Sequence, residues 1–112
     1  MSLHTFHDEL KGISDGSANF DQKTEKYPDN KAMCLQHVCV VNHDKNNARA
    51  NIGVVTGSQI MWLGHIICTS DQIYYYQTYN VFFKSARNII VRWNATNDGD
   101  RVEGYVYGYY RD

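Results

Sequence analysis

The stretch Thr96-Asn97-Asp98-Gly99-Asp100-Arg101-Val102-Glu103-Gly104-Tyr105-Val106-Tyr107-Gly108-Tyr109-Tyr110 joins a turn to a run that alternates with period two. Side chains two apart share one face of a β-strand. Arg101, Glu103, Tyr105, Tyr107 and Tyr109 therefore lie on one side, and Val102, Gly104, Val106, Gly108 and Tyr110 on the other. The Val/Gly side suits close packing against a neighbouring layer. The tyrosine side begins with two charges, so it is expected to be only partly buried. The Asn-Asp-Gly-Asp run before it is the strongest turn signal in the chain.

Working back from this strand, the same signature repeats. Residues 87–94 alternate Ile89, Val91 and Trp93 with Ile90 and Arg92. Ile73–Gln77 and Tyr79–Phe83 read as two short aromatic strands, or one bent strand broken near Thr78. Residues 48–55 and 59–67 flank Thr56-Gly57-Ser58, a tight hairpin turn. Met33–Asn42 is rich in β-branched residues and too apolar for simple alternation, so it is expected to be a central strand covered on both faces. His43–Asn47, Thr69-Ser70-Asp71 and Lys84-Ser85-Ala86 are connections. Turns about every 8–12 residues, with no helical period after residue 31, predict an all-β fold. The expected architecture is an antiparallel, jelly-roll-like β-sandwich of seven or eight strands.

The first 31 residues differ. They are polar, with four Lys against six Asp or Glu, and Phe6, Leu10 and Ile13 recur there at helical spacing. Residues 1–17 are expected to form an N-terminal arm that packs poorly on its own domain and docks through Phe6, Leu10 and Ile13 on a partner. A single sandwich domain would then cover 18–112, its first strand at about 18–27 ending at Pro28, with Asp29-Asn30 as a turn.

The chain has 112 residues, 43% of them apolar and 13% aromatic, enough for one domain with one core. The net charge of −1 provides no global field for nucleic acid or an anionic membrane. No apolar run reaches the ~18 residues that span a bilayer. If the sequence is complete, Met1-Ser2-Leu3-His4 opens no signal peptide, and the protein is expected to be made and kept in a cytosol. Asn94-Ala95-Thr96 matches a glycosylation sequon and reads, without a secretion signal, as chance. Cys34, Cys39 and Cys68 lie in apolar runs and read as reduced, buried thiols.

Five histidines and three cysteines raise the question of metal binding. Cys34, His37 and Cys39 are close in sequence, but strand alternation puts Cys34 on the face opposite the other two. His65 or Cys68 would join them only through a particular strand pairing. No motif supplies an activated Cys–His pair, paired carboxylates or a phosphate loop. The expectation is no enzyme, no cofactor and no metal. What remains is a surplus of tyrosine, a side chain suited to interfaces because it combines an apolar body with a polar tip. Tyr105, Tyr107, Tyr109, Tyr75 and Trp62 are the candidate interface or ligand residues.

Across residues 27–112 a set of short motifs carries a resemblance. Tyr27-Pro28-Asp29-Asn30-Lys31 leads into the first long strand, and Asn80-Val81-Phe82-Phe83 precedes the strand ending in Trp93. Ala95-Thr96 and Gly99-Asp100 then open a closing strand of the Val102-Glu103-Gly104-Tyr105 type. This resembles the small β-sandwich structural proteins of tailed bacteriophages. The resemblance implies a virion component, made in the bacterial cytoplasm: a head decoration, neck or tail accessory protein. It would assemble as a homo-oligomer, with a trimer one form, and contact other virion proteins. The alternative is a carbohydrate-binding module in which Trp62, Tyr75 or the Tyr105, Tyr107 and Tyr109 row stacks on a glycan.

Overall fold

A computed structural model describes residues 3–27, 31–44, 46–69, 74–84 and 88–111. Eight strands follow one another: β1 (Leu3–Ile13), β2 (Phe20–Lys23), β3 (Ala32–Asn42), β4 (Ala48–Thr56), β5 (Gln59–Cys68), β6 (Tyr74–Lys84), β7 (Asn88–Asn94) and β8 (Arg101–Arg111). Among the described residues there is no helix, hence none long and apolar enough to cross a membrane. The turns expected at Pro28-Asp29-Asn30 and Ser70-Asp71 fall outside the described residues, as do Ile73, Lys45 and Ser85-Ala86.

The strands form two four-stranded sheets, ordered β1-β8-β3-β6 and β2-β7-β4-β5. Every pairing is antiparallel. First pairs with last, second with seventh, third with sixth and fourth with fifth. The chain is thus one long hairpin rolled upon itself, and its two antiparallel sheets are the β-sandwich expected. The hairpin tip is Gly57-Ser58, between Thr56 and its partner Gln59. Gly57 there has φ +60°, the left-handed value that a two-residue turn of this kind requires at its first position.

Alternation explains the core. The inward residues of β8, Val102, Gly104, Val106 and Gly108, are all buried, while Tyr105 and Tyr109 are half-buried and Tyr107 is exposed. Leu35, Val38, Val40, Ile52, Ile89, Val91 and Trp93 fill the space between the sheets with no exposure. The Trp93 indole N–H would be costly to bury alone, and it donates to Gln22 Oε1 at 2.9 Å.

The N-terminal arm is a correction. Leu3–Ile13 is an edge strand in full register with β8, from Leu3 opposite Arg111 to Ile13 opposite Arg101. Phe6 and Leu10 are buried in the chain's own core and Ile13 is 66% exposed. The physical reason lies in the spacing. Residues four apart share a face of a strand as well as of a helix, whereas Ile13 has the other parity and points out. Tyr27 secures the strand: its ring packs on Phe6 at 5.0 Å and its hydroxyl donates to Asp8 Oδ2 at 2.6 Å. Burial, reinforced by Asp8, raises the Tyr27 phenol above its ordinary value. Phe6 and Leu10 are therefore spent on the core rather than on a partner.

One end of the sandwich is gathered by Asp100, which is 4% exposed. Its carboxylate accepts from Asn42 Nδ2 at 2.9 Å, Asn46 Nδ2 at 2.7 Å and the Asn97 amide at 2.9 Å. Its backbone carbonyl accepts from the Ser14 amide at 2.8 Å. The end of β3, the following loop and the β7–β8 turn thus meet at one side chain, and the exit of β1 joins them at the same residue's backbone. Asp100→Ala strips the acceptor from three donors and is expected to lower stability by about 2–3 kcal/mol, read as a fall in the urea midpoint. An unchanged midpoint would show that water replaces the carboxylate at no cost.

Candidate functional site

The tyrosine face of β8 forms the middle of a larger aromatic surface, the outer face of the β1-β8-β3-β6 sheet. Its two neighbours bring other outward residues into rows. His7, Tyr107 and His37 lie side by side across β1, β8 and β3. The Tyr107 and His37 rings stack at 5.8 Å with 27° between planes, and His37 stacks on Tyr76 of β6 at 5.2 Å. The Tyr76 hydroxyl is hydrogen-bonded to His37 Nδ1. His7 meets Tyr107 edge-on at 6.5 Å, and Phe82 meets Tyr109 edge-on at 6.4 Å. On this one face Phe82 is 68%, Tyr76 59% and Tyr107 41% exposed.

A bulge in β3 makes the surface continuous. Leu35 pairs with Gly108 but His37 pairs with Tyr107, leaving Gln36 as an extra residue. An extra residue resets the alternation of everything beyond it. Cys34, His37 and Cys39 therefore lie opposite Tyr109, Tyr107 and Tyr105 on the same outer face, contrary to the alternation expected from sequence. Sharing a face does not make them a ligand set: among the described residues no group of three or more His, Cys, Asp or Glu could hold a metal ion. All three cysteines are free, with Cys34 and Cys68 buried and Cys39 half-buried. Burial pushes the Cys39 thiol up and the Cys68 thiol up to about 11, the direction that disfavours a nucleophilic thiolate.

Charge lies at the two ends of this face, with Arg111 and Lys84 beyond Tyr109 and Phe82 and a denser group around Glu103. Tyr105 donates a hydrogen bond to Glu103, and His43 Nε2 lies 3.0 Å from the other oxygen of the same carboxylate. The Tyr105 hydroxyl, with His43 beside it, holds Glu103 below the usual carboxylate range. Arg101 pairs with Asp44 at 3.1 Å nearby. At the far edge β6 runs Tyr-Tyr-Tyr-Gln-Thr-Tyr-Asn-Val-Phe-Phe from residue 74 to 83 without a charge, and among the described residues no strand pairs with its outer hydrogen-bonding edge.

The remaining sequence candidates lie elsewhere. Tyr75 points inward, packs against the core, and its hydroxyl accepts from the Thr69 amide at 2.9 Å. Trp62 is 43% exposed but sits on the outer face of the other sheet, across the sandwich from the tyrosine row. Tyr105, Tyr107 and Tyr109 are brought together as expected. His7, His37, Tyr76 and Phe82 complete their surface, and alternation along single strands does not by itself place them beside the tyrosine row. The charge-free run of β6 was the one local signal for them.

The fold and this face define a two-sheet β-sandwich with an aromatic outer surface. No protein-family model matches the chain, and no curated protein matches it. Among solved structures it is similar to a chain of the virus-like particle of the extra small virus of the giant freshwater prawn Macrobrachium rosenbergii. The TM-score is 0.42 and the identity 9%, over 100% of this chain and 81% of that one.

Proposed function

We propose that the chain is a non-enzymatic structural module of a virus particle that assembles with copies of itself through the outer face of the β1-β8-β3-β6 sheet. The observation that carries the reading is the exposure of Phe82, Tyr76 and Tyr107 on one face, Phe82 against the half-buried Tyr109 and Tyr76 and Tyr107 on either side of His37. A contiguous exposed aromatic patch is a site of association, and aromatic residues with few charges are what the centre of an interface contains. The long, charge-free edge of β6 adjoins this patch. Such an edge invites further pairing unless a neighbour covers it. One copy laid on another would bury the patch and the edge together. The motifs shared with tailed-phage structural proteins support a head-decoration, neck or tail-accessory place for the assembly.

The test is the mass in solution of the chain and of the Phe82→Ser, Tyr107→Ser double variant, by light scattering across a dilution series. The expected result is an oligomer whose dissociation constant rises about 100-fold in the variant, as loss of two central aromatic contacts implies. Both substitutions lie on the surface, so the far-UV spectrum should be unchanged. A monomeric parent chain at tens of micromolar would remove the reading. An oligomer indifferent to both substitutions would move the interface off this face.

A further inference from the structure

The outer face of the opposite sheet, β2-β7-β4-β5, carries a second grouping that the assembly face does not explain. Gly53 of β4 makes it. A side chain there would meet Ile60 Cγ2 at 2.8 Å and Trp62 Cε3 at 2.9 Å, so the indole leans across bare backbone toward β7. Arg92 of β7 lies over the indole, its Cζ 5.1 Å from the ring centroid. Asp21 of β2 holds that guanidinium with two bonds, Nε to Oδ1 at 2.7 Å and Nη2 to Oδ2 at 3.0 Å. The positive charge of Arg92 is thereby offset, and the residue serves to brace the ring.

Arg49 stands at the other side of the same depression, and its charge is not offset: it makes no ion pair among the described residues. It is nonetheless aimed. Nε donates to Asn51 Oδ1 at 2.9 Å and Nη2 lies 3.2 Å from His65 Nδ1. Asn51 is fixed in turn by donating to the Arg92 carbonyl at 3.0 Å. Because a guanidinium only donates, His65 must accept at Nδ1 and carry its proton on Nε2, which leaves that N–H for a ligand. Between Arg49, His65 and Trp62 is an open depression of about 480 Å³.

We infer that this depression binds a saccharide carrying a single carboxylate, with the carboxylate on Arg49, a hydroxyl on His65 Nε2 and the C–H face of the ring against Trp62. A half-exposed indole beside fixed polar groups in a shallow basin suits a hydrated, ring-shaped ligand with one apolar face. One unopposed cation suits one anionic group. A nucleic-acid strand repeats its charge at every residue and needs a track of cations, which is absent here: Asp21 already occupies Arg92, and the chain is net −1. The inference stands apart from the assembly reading, since the two surfaces are on opposite sides of the sandwich.

The test uses the full chain and follows the two indole N–H NMR signals, Trp62 reporting the basin and Trp93 the core. Methyl glucuronide at tens of millimolar should shift Trp62 and leave Trp93 in place. Its uncharged methyl ester should bind about tenfold more weakly, and so should the acid to Arg49→Gln. No shift with the glucuronide, or equal binding of acid and ester, overturns the inference. So does inorganic phosphate matching the glucuronide, which would mark a bare anion site, or tighter binding of thymidine monophosphate, which would mark a nucleotide site.

Discussion

Replacing Gly108 by alanine is expected to cost about 3 kcal/mol or more, although it adds a single methyl group. Gly108 lies between β1 and β3, paired with Phe6 on one side and Leu35 on the other. A Cβ built there would fall far inside contact distance of the Cys34 carbonyl oxygen and 2.6 Å from Phe6 Cζ. The carbonyl belongs to backbone in the middle of a sheet and cannot swing aside as a side-chain tip can. Either β3 and β8 part locally or the Phe6 ring leaves its slot, and both dismantle the anchoring of β1. Gly104→Ala is the control. The nearest atom to its Cβ is Val91 Cγ2 at 3.5 Å, an ordinary contact, so the change should stay within about 1 kcal/mol. Denaturant midpoints compare the two, and amide exchange in residues 3–13 should rise only in the Gly108 variant. Equal stability of the two variants would mean that the sheet yields at Gly108 more easily than a packed interior allows.

Trp93→Ala is expected to remove about 3–5 kcal/mol, a large share of the ~5–15 kcal/mol by which domains are stable. The side chain is the largest among those that are completely buried, and it faces Phe20 on one neighbouring strand and Ala50 on the other. Truncation leaves a cavity between sheets and deprives Gln22, itself 8% exposed, of the donor to its Oε1. Trp93→Phe separates the two effects, since it keeps most of the volume and loses the N–H. It should cost about 1–2 kcal/mol. Calorimetric or urea unfolding of both variants checks the ordering. An alanine variant no weaker than the phenylalanine one would show that the sandwich collapses over the gap.

Much of this was legible along the chain. The alternation of Val102, Gly104, Val106 and Gly108 with the tyrosines is strand periodicity, and its buried and open faces are where parity puts them. The Gly57-Ser58 turn and the strands on either side were legible for the same reason: a hairpin is local, and its residues state their own geometry. What failed did so at two definite places. Phe6 and Leu10 carry a spacing common to helix and strand, so only the partner, β8, some hundred residues later, decides between them. Gln36 is an ordinary residue in an apolar run, and nothing in its neighbourhood announces a bulge. Yet that one insertion carries His37 and Cys39 onto the face already occupied by Cys34.

The candidate surfaces divide in the same way. The tyrosine row was visible because it lies on one strand. His7, His37, Tyr76 and Phe82 come from three other strands, and Arg49 and Arg92 reach Trp62 and His65 of β5 from two. By itself the sequence determined that the chain is all-β, where most strands begin and end, and which side of β8 is open, because these follow from local periodicity and turn chemistry. The tertiary structure alone decided that the first strand closes the sheet beside the last. It also decided which residues of separate strands share a surface, and that the tyrosines and Trp62 look out from opposite sides. Those outcomes depend on sheet register and bulges, which are set by packing between residues far apart in the chain.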